Sequence, residues 1–212
     1  MLALLVAAAQ VACTRQDSPS PPADSGGRIL IALQPLGPVA SGTVQAVKEA
    51  ISNRFVVEVI VLDARALPES AYYPPRKRFR AAALLTFLDR QADEKYAKII
   101  GVTASDISIP KQEYPDWGIF GLVALGGRAC VISTYRLKDE GTSSFVFRAR
   151  VEKVANHEVG HTFGLPHCEH AGCLMQDAEG KISTVDSESG DFCSSCRADL
   201  NGKVGLRKRD AG

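Results

Sequence analysis

Residues 157–168 read HEVGHTFGLPHC and hold three of the chain's four histidines, the fourth being His170 just beyond. On a helix, residues four apart lie on one face, so His157 and His161 can both reach one metal ion, with Glu158 projecting beside them. Gly164 can take the left-handed conformation that ends a helix, and Pro166 cannot extend one. The resulting turn brings His167 back toward the first two imidazoles. Three neutral imidazoles leave the fourth position of a tetrahedral zinc ion open, which is the catalytic rather than the structural pattern. Glu158, adjacent to the ligands, is then the natural general base. A helix whose histidines merely pack or face solvent would account for neither the glycine nor the third histidine.

Four of the six cysteines follow: Cys168, Cys173, Cys193 and Cys196. Residues 193–196 form a C-x-x-C knuckle, and four thiolates from two paired segments make a closed structural zinc site. The rival is a pair of disulfides, which an exported protein would favour on redox grounds. The tight C-x-x-C turn suits a metal better than separate long-range bridges, so the expectation is Zn2+ at two sites per chain, one catalytic and one structural. Met175, two residues after Cys173, is either a core side chain or a turn packed beneath the imidazoles.

From His157 to Cys196 the pattern is H-E-x-x-H-x-x-G-x-x-H-C, four residues, Cys-x-Met, seventeen residues and C-x-x-C. This resembles the archaemetzincin signature, both cysteine spacings included; the shorter zinc motif would fit any metzincin. Residues 120–134 (FGLVALGGRACVIST) are also similar to the family's edge-strand region. The resemblance implies an α/β (α+β) metzincin-like zincin fold, a twisted mixed sheet with helices. It implies an upper subdomain over about 28–164, a small Cys-rich lower one over about 165–200, and a substrate cleft between them. It further implies that His157, His161 and His167 bind catalytic zinc, Glu158 is the base, Met175 is the Met-turn residue, and the four cysteines hold a second zinc.

The whole chain of 212 residues suits one sizeable domain, and its net charge of +1 gives no general pull toward nucleic acid or membrane. Residues 1–13 read as a signal peptide ending in a cysteine, Cys13, that could carry a lipid, and 14–27 as a Pro/Ser-rich linker. A membrane-anchored exported lipoprotein is therefore expected, the alternative being a cytoplasmic chain with a frayed N-terminus. Residues 201–212 read as a flexible basic tail, and a monomer is expected.

Between these ends, 28–34, 55–62 and 96–103 have the branched apolar character of buried strands. They alternate with helical patterns over 41–54, with Ser41 as N-cap, and 79–95, which predicts parallel pairing. Arg76, Lys77, Arg78 and Arg80 are expected at a solvated helix start, the alternative being a contact to substrate or to a carboxylate. Residues 106–114 lack periodicity and are expected as an exposed connection. Two apolar runs, 117–125 and 128–135, flank Gly126-Gly127 and predict an antiparallel hairpin that adds an edge strand. Cys130 is expected in the core, Trp117 in the core or cleft, and Asn156 and His170 carry no assigned role. A long helix over 145–164 delivers the histidines.

The predicted reaction is zinc-dependent hydrolysis of peptide bonds, with a peptide or protein as the only partner. The alternative is a catalytically silent, zinc-stabilised peptide-binding module. The presence of Glu158 speaks against it, because pure binding needs no base there.

Overall fold

The computed structural model describes residues 28–207; the predicted signal peptide, Cys13, the linker and the last five residues lie outside it. In chain order the elements are β1 (Ile29–Leu36), α1 (Ser41–Arg54), β2 (Val57–Val61), β3 (Tyr72–Tyr73), β4 (Arg78–Arg80), α2 (Ala81–Gln91) and β5 (Lys98–Thr103). There follow β6 (Ile107–Lys111), β7 (Tyr114–Ile119), β8 (Gly121–Val123), β9 (Ala129–Ser133), α3 (Ser144–Thr162), α4 (Ile182–Ser187) and α5 (Ser194–Asn201).

Five strands form the main sheet in the order β2-β1-β5-β9-β8. The first three pairings are parallel and β8 joins β9 antiparallel, as the helix-strand alternation and the Gly126-Gly127 turn predict. All six residues of β5 are buried, as expected for a strand covered on both faces. Along the strands, Ile31, Leu33, Ile100 and Ile132 face one core with Val47, Ile51, Val151 and Val159, whereas Ala32, Ile99 and Val131 face another with Leu84 and Leu88. Helices α1 and α3 therefore cover one face and α2 the other.

The lower segment has no separate core. Leu174, Met175, Phe192 and Leu200 belong to the same apolar cluster as Phe55 and Phe163, and the Phe55 ring lies 6.1 Å from Phe163 and 6.0 Å from Phe192. Buried Arg54, at the end of α1, ties the two parts together through Asp191 (2.7 Å) and the Gly190 carbonyl (2.7 Å). The described part of the expected tail packs here too: Val204 is buried, Leu206 bridges Phe55, and the Arg207 amide bonds the Arg54 carbonyl. The apolar residues between the tail's lysines and arginines find a neighbour in the end of α1, which the sequence does not place beside them.

Three local expectations are corrected. Residues 107–111 are not an exposed connection but strand β6, which pairs with β7 in a second sheet of order β3-β4-β6-β7. The period-two signal is only Ile107-Ser108-Ile109 before Pro110 and a register shift interrupt it. The basic cluster does not start a helix either: Arg78 and Arg80 are in β4, and α2 begins at Ala81. Arg78 and Arg136 converge on buried Asp106 (2.6 and 2.7 Å), and Arg76 pairs with Asp116 (3.2 Å), so carboxylates from β6, β7 and their approaches hold this cluster. Finally, α1 starts at Ser41 itself, with Ala40 in the cap position and no side-chain cap.

Candidate metal centre and active site

Helix α3 is capped by Ser143, whose hydroxyl accepts from the Val146 amide (3.2 Å), satisfying one of the donors a helix start leaves open. Its other end is closed by Gly164 at φ +83°, with the Gly164 and Leu165 amides bonding back to His161 and Gly160 carbonyls. Lys98, buried at the base of β5, donates to the Thr162, Gly127 and Gly126 carbonyls at 2.6, 3.1 and 3.3 Å. This lysine fastens the end of α3 to the β8-β9 turn, and the Gly126 amide adds a bond to the His161 carbonyl (2.8 Å).

The turn at Gly164 returns His167 to the other two imidazoles: ring centroids lie 4.6 Å apart for His157 and His161, 4.7 Å for His161 and His167, and 5.5 Å for His157 and His167. One ring nitrogen from each falls within 4.8 Å of the others. Nδ1 of His157 meets the Leu174 carbonyl (2.7 Å) and Nδ1 of His161 meets the Leu165 carbonyl (2.6 Å). A carbonyl only accepts, so each Nδ1 carries the hydrogen and each Nε2 offers its lone pair. The two Nε2 atoms stand 3.0 Å apart, near the roughly 3.3 Å edge of a tetrahedron built on zinc–nitrogen bonds of about 2.0–2.1 Å. His167, half exposed, has Asp177 3.6 Å from its Nδ1.

Burial holds His157 down to about 3, with repulsion from His161 adding to it, and lowers His161 as well. Both are therefore neutral, as ligands must be. Glu158 is 7% exposed, and burial alone pushes its carboxyl up to about 8. It lies directly over the backbone of β8: a Cβ at Gly121 would stand 2.4 Å from Glu158 Oε1. Under the helix, a Cβ at Gly160 would stand 2.7 Å from the sulfur of fully buried Met175. Met175 thus packs against the imidazole-bearing turn, and its carbonyl accepts from the Cys168 amide (2.8 Å).

Sequence reasoning does not pick out Gly121, because nothing in a short apolar run says that a carboxylate from a distant helix rests on it. Replacing Gly121 by alanine is expected to displace Glu158 and to lower kcat on the order of a hundredfold while zinc content stays unchanged. Steady-state kinetics with metal analysis checks this, and wild-type kcat would contradict the placement.

The four cysteine sulfurs also gather within 4.8 Å of one another, and no disulfide joins them. Cys168 to Cys193 is 3.8 Å and Cys173 to Cys196 is 3.9 Å. A tetrahedron of 2.3 Å zinc–sulfur bonds has edges of roughly 3.8 Å, whereas a disulfide needs about 2.05 Å. Backbone amides of His170, Met175 and Cys193 point at Cys168 and Cys173 sulfurs (3.3–3.5 Å), as suits thiolates. The donor set fits zinc. Cys130 is in the core as expected, and His170 is exposed and joins neither cluster. Asn156 is buried with no partner for its side-chain amide among the described residues, and the structure gives it no role.

A cavity of about 330 Å3 opens beside the histidines, between β6–β8 and the lower segment, with Trp117, Phe120, Gly121, His157, Glu158 and His167 among its walls. Trp117 therefore lines the cleft.

The family model described as Peptidase family M54 matches residues 43–202. The chain is 34% identical over 170 residues to an archaemetzincin from Halobacterium salinarum, which spans 77% of this chain and 94% of that one. The crystal structure of archaemetzincin from Methanopyrus kandleri superimposes with a TM-score of 0.72 at 31% identity, covering 84% of this chain and 97% of that one. That of the Archaeoglobus fulgidus archaemetzincin complexed with malonate gives 0.69 at 31% identity, covering 81% and 99%. With its helix-borne histidines, its cysteine cluster and its mixed sheet, this chain belongs to the archaemetzincin family, peptidase family M54, and is a zinc-dependent peptidase.

Proposed function

We propose that His157, His161 and His167 hold the catalytic zinc, that Glu158 is the general base for peptide hydrolysis, and that Cys168, Cys173, Cys193 and Cys196 hold a second, structural zinc. The observation that carries this reading is the position of Glu158: a buried carboxylate on the imidazole face of α3, in the cavity wall, with β8 immediately behind it. When bound, the catalytic ion supplies a water of lowered pKa and polarises the scissile carbonyl. Glu158 takes a proton from the attacking water and returns it to the leaving amine. The Leu165 and Leu174 carbonyls keep His161 and His157 in the tautomer that presents Nε2. Among the described residues strand β8 is the outermost strand of its sheet and pairs only with β9, so its other edge can align an extended peptide by backbone pairing. Met175 supports the ligands from below without touching the metal. The N-terminal residues add a location to this reading: export, with anchoring through a lipid on Cys13.

Incubating the zinc-loaded full chain with an unbiased peptide library tests the assignment. Cleavage that a chelator abolishes and added zinc restores is expected. A protein that retains zinc, binds peptides and cleaves none would instead be the silent binding module.

A further inference from the structure

Glu188 is a second buried carboxylate in the wall of the same cavity, which Trp117, Ile119 and Leu122 also line, and it takes no part in the chemistry assigned to Glu158. It is 6% exposed, and it follows directly on α4, its amide bonding the Thr184 carbonyl (3.1 Å). Among the described residues no group donates a hydrogen bond to its carboxylate and none pairs with it as an ion. The nearest influence is Lys153, but that ammonium is already committed: it donates to the Val185, Asp186 and Glu188 carbonyls at 2.8, 3.2 and 2.7 Å. Three donors meet three acceptors, which leaves none for the side chain. The segment is held firmly, since Arg150 grips Asp186 with two bonds of 2.8 Å.

A buried carboxylate without a direct ion pair is costly to keep, and burial pushes Glu188 up to about 8, with the charge of Lys153 only partly opposing it. The rest of the wall adds Asp177, beside His167 (3.6 Å), Glu179, paired with Lys181 (2.9 Å), and Lys111, whose ammonium lies over the Trp117 ring (5.2 Å). The cavity wall is therefore mainly apolar along β6–β8 and carries acidic groups from the lower segment, where Glu188 is the buried carboxylate without a partner among the described residues. A lysine or arginine side chain matches that division, its methylene stem against the apolar wall and its charged head at the carboxylate.

We propose that Glu188 is the specificity-determining residue of a subsite that receives a lysine or arginine side chain next to the scissile bond. The inference rests on the peptidase reading of the histidine site. Peptides differing at one position, arginine against citrulline and lysine against norleucine on either side of the scissile bond, test it with the zinc-loaded full chain. At one of the two positions the basic peptide is expected to have the higher kcat/KM by at least about 30-fold, as a desolvated charge pair allows. Glu188→Gln should bring that ratio close to one, and Glu188→Lys should reverse it in favour of glutamate at the same position. Equal kcat/KM for basic and neutral peptides in the wild type would overturn the proposal, even if neither variant folds. So would an unchanged ratio in Glu188→Gln. Calorimetric binding of the same peptides gives a readout independent of turnover. Should no peptide be cleaved, the hydrolytic reading fails alone, and tighter binding of the basic peptides would still uphold the Glu188 subsite, while equal binding would overturn it.

Discussion

Replacing Glu158 by alanine is expected to lower kcat for peptide cleavage by about a hundredfold to ten-thousandfold, the range a positioned general base contributes, while the histidines keep their zinc. The expectation follows from what surrounds the carboxylate. Among the described residues no group hydrogen-bonds it, and burial alone raises it to about 8. A dication at the histidines would favour the charged carboxylate and offset that burial. Glu158 contributes no ligand atom to the histidine cluster, so removing it leaves metal binding to His157, His161 and His167. Glu158→Gln, which keeps the shape, should lose nearly as much activity. Zinc content measured beside kcat separates the loss of a base from the loss of metal, and unchanged kcat would remove Glu158 from the mechanism.

The second large effect concerns Cys168. Its sulfur belongs to the cysteine cluster, its backbone follows His167 directly, and its amide bonds the carbonyl of Met175. The third histidine is thus stapled to the cysteine site on one side and to the Met175 turn on the other. Cys168→Ser is expected to release the structural zinc and with it much of the lower segment's stability, since closed zinc sites contribute folding energy outright. It should also weaken zinc at the histidines by about 10- to 100-fold, the effect of disturbing the groups that orient ligands. Thermal unfolding and competition with a chromogenic chelator report the two losses separately. Normal zinc affinity at the histidines in this variant would break the link between the sites.

Much of the candidate site is legible in residues 157–196 because its parts are local. A four-residue spacing on a helix sets His157 against His161, Gly164 reverses the chain, and the cysteine spacings place four sulfurs within reach of one ion. The parallel strands are equally readable, since each is a short, largely apolar run and β1, β2 and β5 alternate with the helical patterns of α1 and α2. What the residues alone do not disclose depends on contacts between distant segments. Gly121 matters because α3 lays Glu158 on it, and Lys98 because its ammonium closes the end of that helix. Glu188 reads as one acid in a polar stretch until the fold seals it into the cavity. The β6-β7 hairpin escapes periodicity because Pro110 and a register shift break its alternation, and its anchors are ion pairs from β4 and from Arg136 to Asp106. Arg76 and Arg78 look like a solvated helix start because their acidic partners, Asp106 and Asp116, lie 28 to 40 residues further on.

The central claim is that the chain binds zinc at two adjoining sites of different chemistry. Counting zinc by native mass spectrometry tests it most directly, on the wild-type full chain and on His157→Ala/His161→Ala and Cys193→Ser/Cys196→Ser double variants. Two ions are expected on the wild type. One ion, held by thiolates, should remain when the histidines are replaced, and the cysteine variant should lose at least the structural ion. A single ion on the wild type that survives replacement of both histidines would contradict the account.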